Sequence, residues 1–219
     1  MIKQFKMSVK LVRYAFGIKQ GIGFGILFTI IGVLCSVLPS EIGAIGEFFL
    51  MMIGLWVTQV FYSLGVSNLI QTSKWKKAVE TSMPAILSLA GYIIAYIVCF
   101  LLKIPRLLEG EEQELMNISA ELIAAGFIAF FIMAYSGIAY KLFVVGTILF
   151  AGSFIGMGTI SGIARVFGWT LSIPSVGAAV LIGFAEIVAG ALVQYGLSCI
   201  LYKYPLSKHA QLRGLAKIM

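Results

Sequence analysis

Long apolar stretches separated by short polar segments follow one another along most of this chain. A helix that crosses the roughly 30 Å hydrocarbon core of a membrane needs about 20 mainly apolar residues. The stretches between charged residues predict six such helices, at about 21–39, 48–71, 84–102, 116–137, 142–164 and 175–202. The pattern therefore predicts an all-α, polytopic integral membrane protein in which residues 1–219 form a single transmembrane domain.

One apolar run, 122–164, is interrupted only by Lys141 and is too long for a single crossing. At about 1.5 Å per residue it would extend about 65 Å as one helix, which is about twice the thickness of the hydrocarbon core. Polar and small residues cluster near its middle, at Tyr135, Ser136, Gly137, Tyr140 and Lys141. We therefore predict a tight cytoplasmic turn between the fourth and fifth helices.

Lysine and arginine are concentrated on one side of the predicted membrane. If the N-terminus is cytoplasmic, the outer segments hold only Lys103, Arg106 and Arg165 of the 16 basic residues. The inner segments hold the others, namely Lys3, Lys6, Lys10, Arg13, Lys19, Lys74, Lys76, Lys77, Lys141, Lys203, Lys208, Arg213 and Lys217. Because cytoplasmic loops carry the excess of Lys and Arg, both termini are expected to be cytoplasmic, with a basic tail over 203–219.

The composition excludes a soluble globular protein. Hydrophobic residues make up 60% of the chain and charged residues 11%, whereas a soluble domain is about a quarter charged. The net charge of +7 suits the anionic headgroups of membrane lipids, so we expect lipid contacts and no nucleic-acid partner. The first apolar run lacks the cleavage pattern of a secretory signal, and a multi-pass protein of the cell membrane is predicted.

Two polar segments on the predicted cytoplasmic side are amphipathic. Residues 1–20 alternate basic and apolar groups, which predicts either a helix lying in the membrane interface or a basic flank with no further role. Within 72–83, Trp75 and Val79 recur at helical spacing, and Thr72 or Ser73 suits the N-cap. This second segment predicts a short helix that is either a membrane-surface anchor or a docking element for a cytoplasmic partner.

Glu186 lies deep within the sixth predicted helix, far from either end. An acid at that depth costs about 2.5–3.5 kcal/mol on insertion scales. It shares a narrow helical face with Ala179, Gly183, Gly190 and Gln194. Two interpretations remain open: Glu186 and Gln194 line a substrate path, or a protonated carboxyl bonds to a neighbouring helix.

Small residues indicate where helices approach closely. Gly152 and Gly156 repeat at four-residue spacing in the fifth predicted helix, and Gly183 and Gly190 lie two turns apart in the sixth. Small residues at such positions allow helix backbones to come into contact within a membrane. We therefore predict that these four glycines lie at helix-packing surfaces.

The residues that most enzymes require are missing. Asp is absent, and the only histidine, His209, lies in the C-terminal tail, so neither a His-based metal site nor a Ser-His-Asp arrangement can form. The cysteines Cys35, Cys99 and Cys199 lie within apolar stretches without metal-site spacing. There is no G-x-x-x-x-G-K-[ST] motif for nucleotide phosphates. We predict no enzyme activity, metal or cofactor for this chain alone.

Two segments resemble the permease subunits of ABC-2 type (type V) exporters, in their small bacterial six-span form. The first, 73–92, reads SKWKKAVETSMPAILSLAGY and is similar to the short charged segment that precedes the third helix in that family. The second, 195–208, reads YGLSCILYKYPLSK and is similar to the family's basic exit from the membrane. The likeness in helix number and arrangement covers the whole chain.

This resemblance implies a permease that dimerises with an identical or related chain and is driven by separate ATPase subunits, which bind ATP and Mg²⁺. It also assigns an ATPase-coupling role to Lys74, Trp75, Lys76, Lys77, Val79 and Glu80. The substrate would be amphipathic, such as a peptide, a lipid or a drug. Two alternatives remain open: the substrate-binding membrane subunit of a vitamin uptake system, and a non-transporting immunity or assembly protein.

Overall fold

Helices make up most of the structure. The computed structural model describes residues 6, 9–11, 18–37, 45–55, 64, 68–149, 151–152 and 175–205, and no strand occurs among them. The helices are α1 (Ile18–Val37), α2 (Ile45–Leu55), α3 (Asn68–Gln71), α4 (Lys76–Glu80), α5 (Ser82–Glu109), α6 (Glu112–Ala139), α7 (143–149) and α8 (Val176–Leu201). The predicted helical class is confirmed for this part of the chain.

Within the described residues, three segments are long and apolar enough to cross a membrane: Lys76–Glu109, Glu112–Ala139 and Val176–Leu201. The apolar parts of α1 and α2, Gly21–Ser36 and Ile45–Leu55, are shorter. The prediction of apolar helices long enough to span a membrane is therefore confirmed for these three segments. Much of the predicted helices at 48–71 and 142–164, most of the interfacial segment 1–20 and most of the tail 203–219 lie outside the described residues.

The chain between the third and fourth predicted helices is helical almost throughout. Lys103 and Arg106, expected in a loop, belong to the last turns of α5, which ends only at Glu109. Gly110, with φ 73°, then takes the left-handed conformation that commonly ends a helix. Glu112 and Glu114 lie in the first turn of α6, where the helix dipole favours negative charge.

Helices α6 and α8 lie side by side and run in the same direction. A methyl group at Gly126 would lie 2.6 Å from Cα of Gly183, and one at Gly137 would lie 3.0 Å from the backbone oxygen of Gln194. Because both contacts advance together along the two helices, the pair is parallel. The ends that the intervening chain joins, Ala139 and Val176, therefore lie at opposite ends of the pair.

Large side chains from α2, α5, α6 and α8 form the core. Tyr92, Leu122, Met133 and Ile187 are fully buried, and Leu50 of α2 packs with them. The outward faces of the helices expose large apolar side chains, including Leu34, Ile94, Leu181, Leu192 and Ile200. An apolar outer surface around a packed core suits a bundle surrounded by lipid.

Candidate functional site

The 72–83 segment is a compact turn and helix rather than an extended loop. Ser73 shapes its start: the hydroxyl donates to the Ile70 carbonyl at 2.9 Å and accepts from the Trp75 amide at 3.2 Å. Trp75, not Thr72 or Ser73, occupies the N-cap of α4. The expected cap was wrong by two to three residues because Ser73 bonds within the preceding turn instead.

The six residues assigned to ATPase coupling divide between two faces of this segment. Lys74 and Lys77 are exposed, while Trp75 and Lys76 are partly buried. Val79 and Glu80 face the protein interior and have 0% and 1% exposure. The structure therefore makes the two lysines accessible to a partner and gives Val79 and Glu80 an internal position.

An apolar cluster fixes the inward face of the segment. The buried residues are Leu64, Ile70, Val79 and Met83, and Leu11, Trp75, Ala78 and Leu87 pack around them. Leu11 comes from the basic N-terminal segment, so that segment packs against the same cluster. The indole ring of Trp75 covers the cluster, while the Lys74 ammonium lies 5.8 Å from the ring centre, within the range of a cation–π contact.

An ion pair joins the same segment to the end of α6. The Lys141 ammonium donates to a Glu80 carboxylate oxygen at 2.7 Å, and the other oxygen accepts from the Gln71 amide at 2.8 Å. The Lys141 and Glu80 side chains are 4% and 1% exposed. We call this part of the bundle the Lys141 end; it corresponds to the predicted cytoplasmic side.

Glu186 lies beside the closest approach of α6 and α8. A methyl group at Gly126 would lie 2.5 Å from its Oε2 atom, and one at Gly183 would overlap the Tyr96 hydroxyl. Glu186 is half-buried, and Oε2 has no hydrogen-bond partner among the described residues. Tyr96 instead directs its hydroxyl to the backbone oxygens of Ala179 and Val180, at 3.4 Å each.

The other residues predicted on the Glu186 face of α8 line the α6–α8 seam. We use this name for the facing surfaces around Gly126, Gly137, Gly183, Gly190 and Gln194. A methyl group at Gly190 would lie 2.6 Å from Cε of Met133, and Gln194 is fully buried. Gly183 and Gly190 thus lie at close contacts between helices. Gly152 is exposed, and no described residue lies within 4 Å of a methyl group placed there. Gly156 lies outside the described residues.

Five charged side chains form a network at the other end of the bundle, near Gly110. The Lys103 ammonium lies 3.0 Å from Glu47 of α2 and also binds Glu121 of α6. The Arg106 guanidinium binds Glu114 through Nε at 3.0 Å and through a second nitrogen, and it lies 3.3 Å from Glu121. We call this set the charged network, and the region the Gly110 end.

The charged network was missed at the sequence level. Lys103 and Arg106 are predicted in an outer segment between two helices, yet Lys103 is fully buried, as is its partner Glu47. One signal was present: Glu114 and Glu121 are seven residues apart, so they share one face of a helix, and Lys103 and Arg106 are three apart on another. Acids on one face of one helix and cations on one face of another indicate that the two helices pair. They do not identify the third helix, which supplies Glu47.

The two predicted polar sites lie at different levels of the bundle. Gln194 packs near the Lys141 end of the seam, and Glu186 lies eight residues earlier on α8, about 12 Å away along the helix axis. Among the described residues, no group of three His, Cys, Asp or Glu side chains could hold a metal ion. Comparison of the chain with protein-family models, with curated proteins and with solved structures found no match.

Proposed function

We propose that this chain is the membrane-spanning permease subunit of an ABC-type exporter, similar to the ABC-2 type (type V) permeases. It pairs with a second permease chain and binds separate ATPase subunits on the cytoplasmic side. It moves an amphipathic substrate out of the cell by alternating access. The parallel arrangement of α6 and α8 supports the predicted six crossings, because it accommodates one return crossing between Ala139 and Val176.

The observation that carries this proposal is the construction of the 72–83 segment. One face is fixed to the bundle by the Glu80–Lys141 ion pair and an apolar cluster, and the other presents the charges of Lys74 and Lys77. A membrane-surface anchor needs an amphipathic face in contact with lipid. Here the apolar face is occupied by the protein itself, which favours docking to a protein partner.

The coupling residues then have separate tasks. Lys74 and Lys77, with the uncovered parts of Trp75 and Lys76, contact the ATPase. Val79 and Glu80 hold the segment against the bundle, so movement of the ATPase is passed to the helices.

Co-purification from native membranes tests the proposal. We expect a nucleotide-binding ATPase chain to co-purify with the permease and to hydrolyse ATP in the complex. A bound vitamin together with a long scaffold subunit would instead support the uptake alternative. Recovery of the chain without any ATPase would support the immunity or assembly alternative.

Variants of the exposed face test the docking surface. Lys77→Glu reverses an exposed charge without touching the core, and Trp75→Ala removes the ring that covers the cluster. Both should lower substrate-stimulated ATP hydrolysis about tenfold, which corresponds to a coupling free energy of about 1.4 kcal/mol, while membrane insertion is retained. Leu108→Ala, at an exposed residue of the Gly110 end, is the control and should behave as the parent protein. Unchanged stimulation in both test variants would contradict the assignment.

A further inference from the structure

The buried Glu80 carboxylate joins three separate segments of the Lys141 end. One oxygen binds Lys141 in the turn after α6, and the other accepts from Gln71 of α3, while Glu80 itself belongs to α4. Each bond is within 2.8 Å, and the carboxylate is 1% exposed. A carboxylate buried in this way is held firmly, because losing either partner would leave a charged oxygen without compensation.

The turn that carries Lys141 is itself tightly attached to α6. The Lys141 and Leu142 amides both donate to the Ile138 carbonyl, at 3.1 and 2.8 Å. The Lys141 ammonium lies 4.9 Å from the ring centre of Tyr140. A methyl group at Gly146 of α7 would lie 3.1 Å from Cα of Ala139. The turn therefore has little freedom to move without α6.

The end of α6 is in turn packed against α8. Gly137 lies four residues before Lys141, and a methyl group there would lie 3.0 Å from the backbone oxygen of Gln194. Backbone surfaces in contact at this distance leave no layer of flexible side chains between the helices. A displacement of α4 thus has a continuous packed route through Glu80, Lys141 and Gly137 to α8.

We infer that Lys141 is a positioning residue that transmits movement of the 72–83 segment to the α6–α8 seam. The inference rests on the proposed function, since it assigns the ATPase as the source of that movement. The predicted coupling residues do not include Lys141, which the sequence places in the turn after the fourth predicted helix and among the cytoplasmic charges. The ion pair between Lys141 and Glu80 joins the 72–83 segment to the turn after α6.

The first experiment measures the connection in the purified chain, without any partner. Amide hydrogen exchange reports local opening of a segment. In Lys141→Met, exchange should rise about tenfold, a change of about 1.4 kcal/mol in opening free energy, in the 72–83 segment and also in α8 beyond Gln194. Exchange at the Gly110 end should stay unchanged. Lys203→Met makes the same replacement at an exposed lysine and should leave the whole pattern as in the parent.

The second experiment measures transmission in the complex with its ATPase. The transport rate per ATP hydrolysed should fall about tenfold in Lys141→Met, with the ATPase still bound; a general loss of folded protein would lower both rates together and leave their ratio unchanged. The double variant Glu80→Lys with Lys141→Glu restores an ion pair with reversed charges. This double variant should recover the parent transport rate per ATP hydrolysed. If Lys141→Met folds poorly, the same rate is measured in the double variant instead.

These results separate the two proposals. A parent chain that binds no ATPase overturns the proposed function and the transmitting role with it. A parent chain that binds an ATPase, with a parent-like transport ratio in Lys141→Met, overturns only the role of Lys141. Unchanged hydrogen exchange in α8 of Lys141→Met would likewise overturn only the role of Lys141, because the connection to the seam would then be absent.

Discussion

The two ends of the bundle use buried charge differently. At the Gly110 end, Lys103 and Arg106 each contact two carboxylates, and the charged network ties α2, α5 and α6 together. At the Lys141 end, Lys141 has one carboxylate, Glu80, supported by the Gln71 amide.

The difference concerns how a displacement is resisted. In the charged network, each cation retains a second carboxylate if one contact lengthens, so the helices stay connected. At the Lys141 end, the ion pairs among the described residues include one between the 72–83 segment and the turn after α6, Glu80–Lys141. The structure is thus most strongly cross-linked at the end away from the proposed ATPase, and least so where movement would enter.

The largest expected effect comes from removing the central cation of the charged network. Lys103→Met leaves Glu47 and Glu121 buried without the ammonium that compensates them. Breaking a buried ion pair from one side costs about 3–5 kcal/mol, so we expect the free energy of unfolding to fall by that amount. Equilibrium unfolding of the purified protein in mixed micelles measures it.

Two variants with the same Lys→Met replacement are compared with Lys103→Met. Lys203→Met, at an exposed residue, should leave the free energy of unfolding unchanged. Lys141→Met should destabilise the protein less than Lys103→Met does, because Lys141 contacts one buried carboxylate and Lys103 contacts two. If Lys141→Met proves the more damaging change, the contrast between the two ends is wrong.

The next effect tests the seam that lies between the ends. A side chain at Gly183 would overlap the fully buried Tyr96, whose hydroxyl has no room to retreat. Overpacking of this kind costs about 1–3 kcal/mol, and Gly183→Ala should lower the free energy of unfolding by that amount.

Gly196→Ala is the matched control on the same helix. Open space surrounds Gly196, and alanine is the better helix former by about 1 kcal/mol, so this variant should be neutral or slightly stabilising in the same unfolding measurement. Equal effects at Gly183 and Gly196 would show that α8 is not closely packed against Tyr96 of α5.

Part of this fold could be predicted from the sequence because lipid imposes simple rules. A backbone in hydrocarbon must satisfy its own hydrogen bonds, so an apolar run of sufficient length forms a helix. The run at 175–202 corresponds to α8, Val176–Leu201. Gly183 and Gly190 of α8 lie close to Tyr96 and Met133, and small residues allow helices to approach in this way.

The charge pairing could not be predicted in the same way. Glu80 and Lys141 are 61 residues apart, and Glu47 reaches Lys103 from another helix; a single sequence contains no distance between them. Charge also misled the placement of Lys103, because a hydropathy pattern ends a membrane helix at its first cation. In the folded protein two carboxylates compensate that cation, and α5 continues.

The smallest expected change in stability is at Glu186, whose role differs from that of the acids at both ends. Those acids are ion-paired, whereas Glu186 has no hydrogen bond among the described residues and its Oε2 atom is buried. Replacing Glu186 therefore removes no described bond. Both Glu186→Gln and Glu186→Leu should change the free energy of unfolding by less than about 1 kcal/mol, which is the scale of one polar contact between membrane helices. If Glu186 lines the substrate path, transport by the complex should nevertheless fall in both variants, and further in Glu186→Leu, which keeps no polar group. Normal transport in Glu186→Gln combined with poor folding of Glu186→Leu would instead identify a structural carboxyl, and the acid would then belong with the paired charges of the two ends.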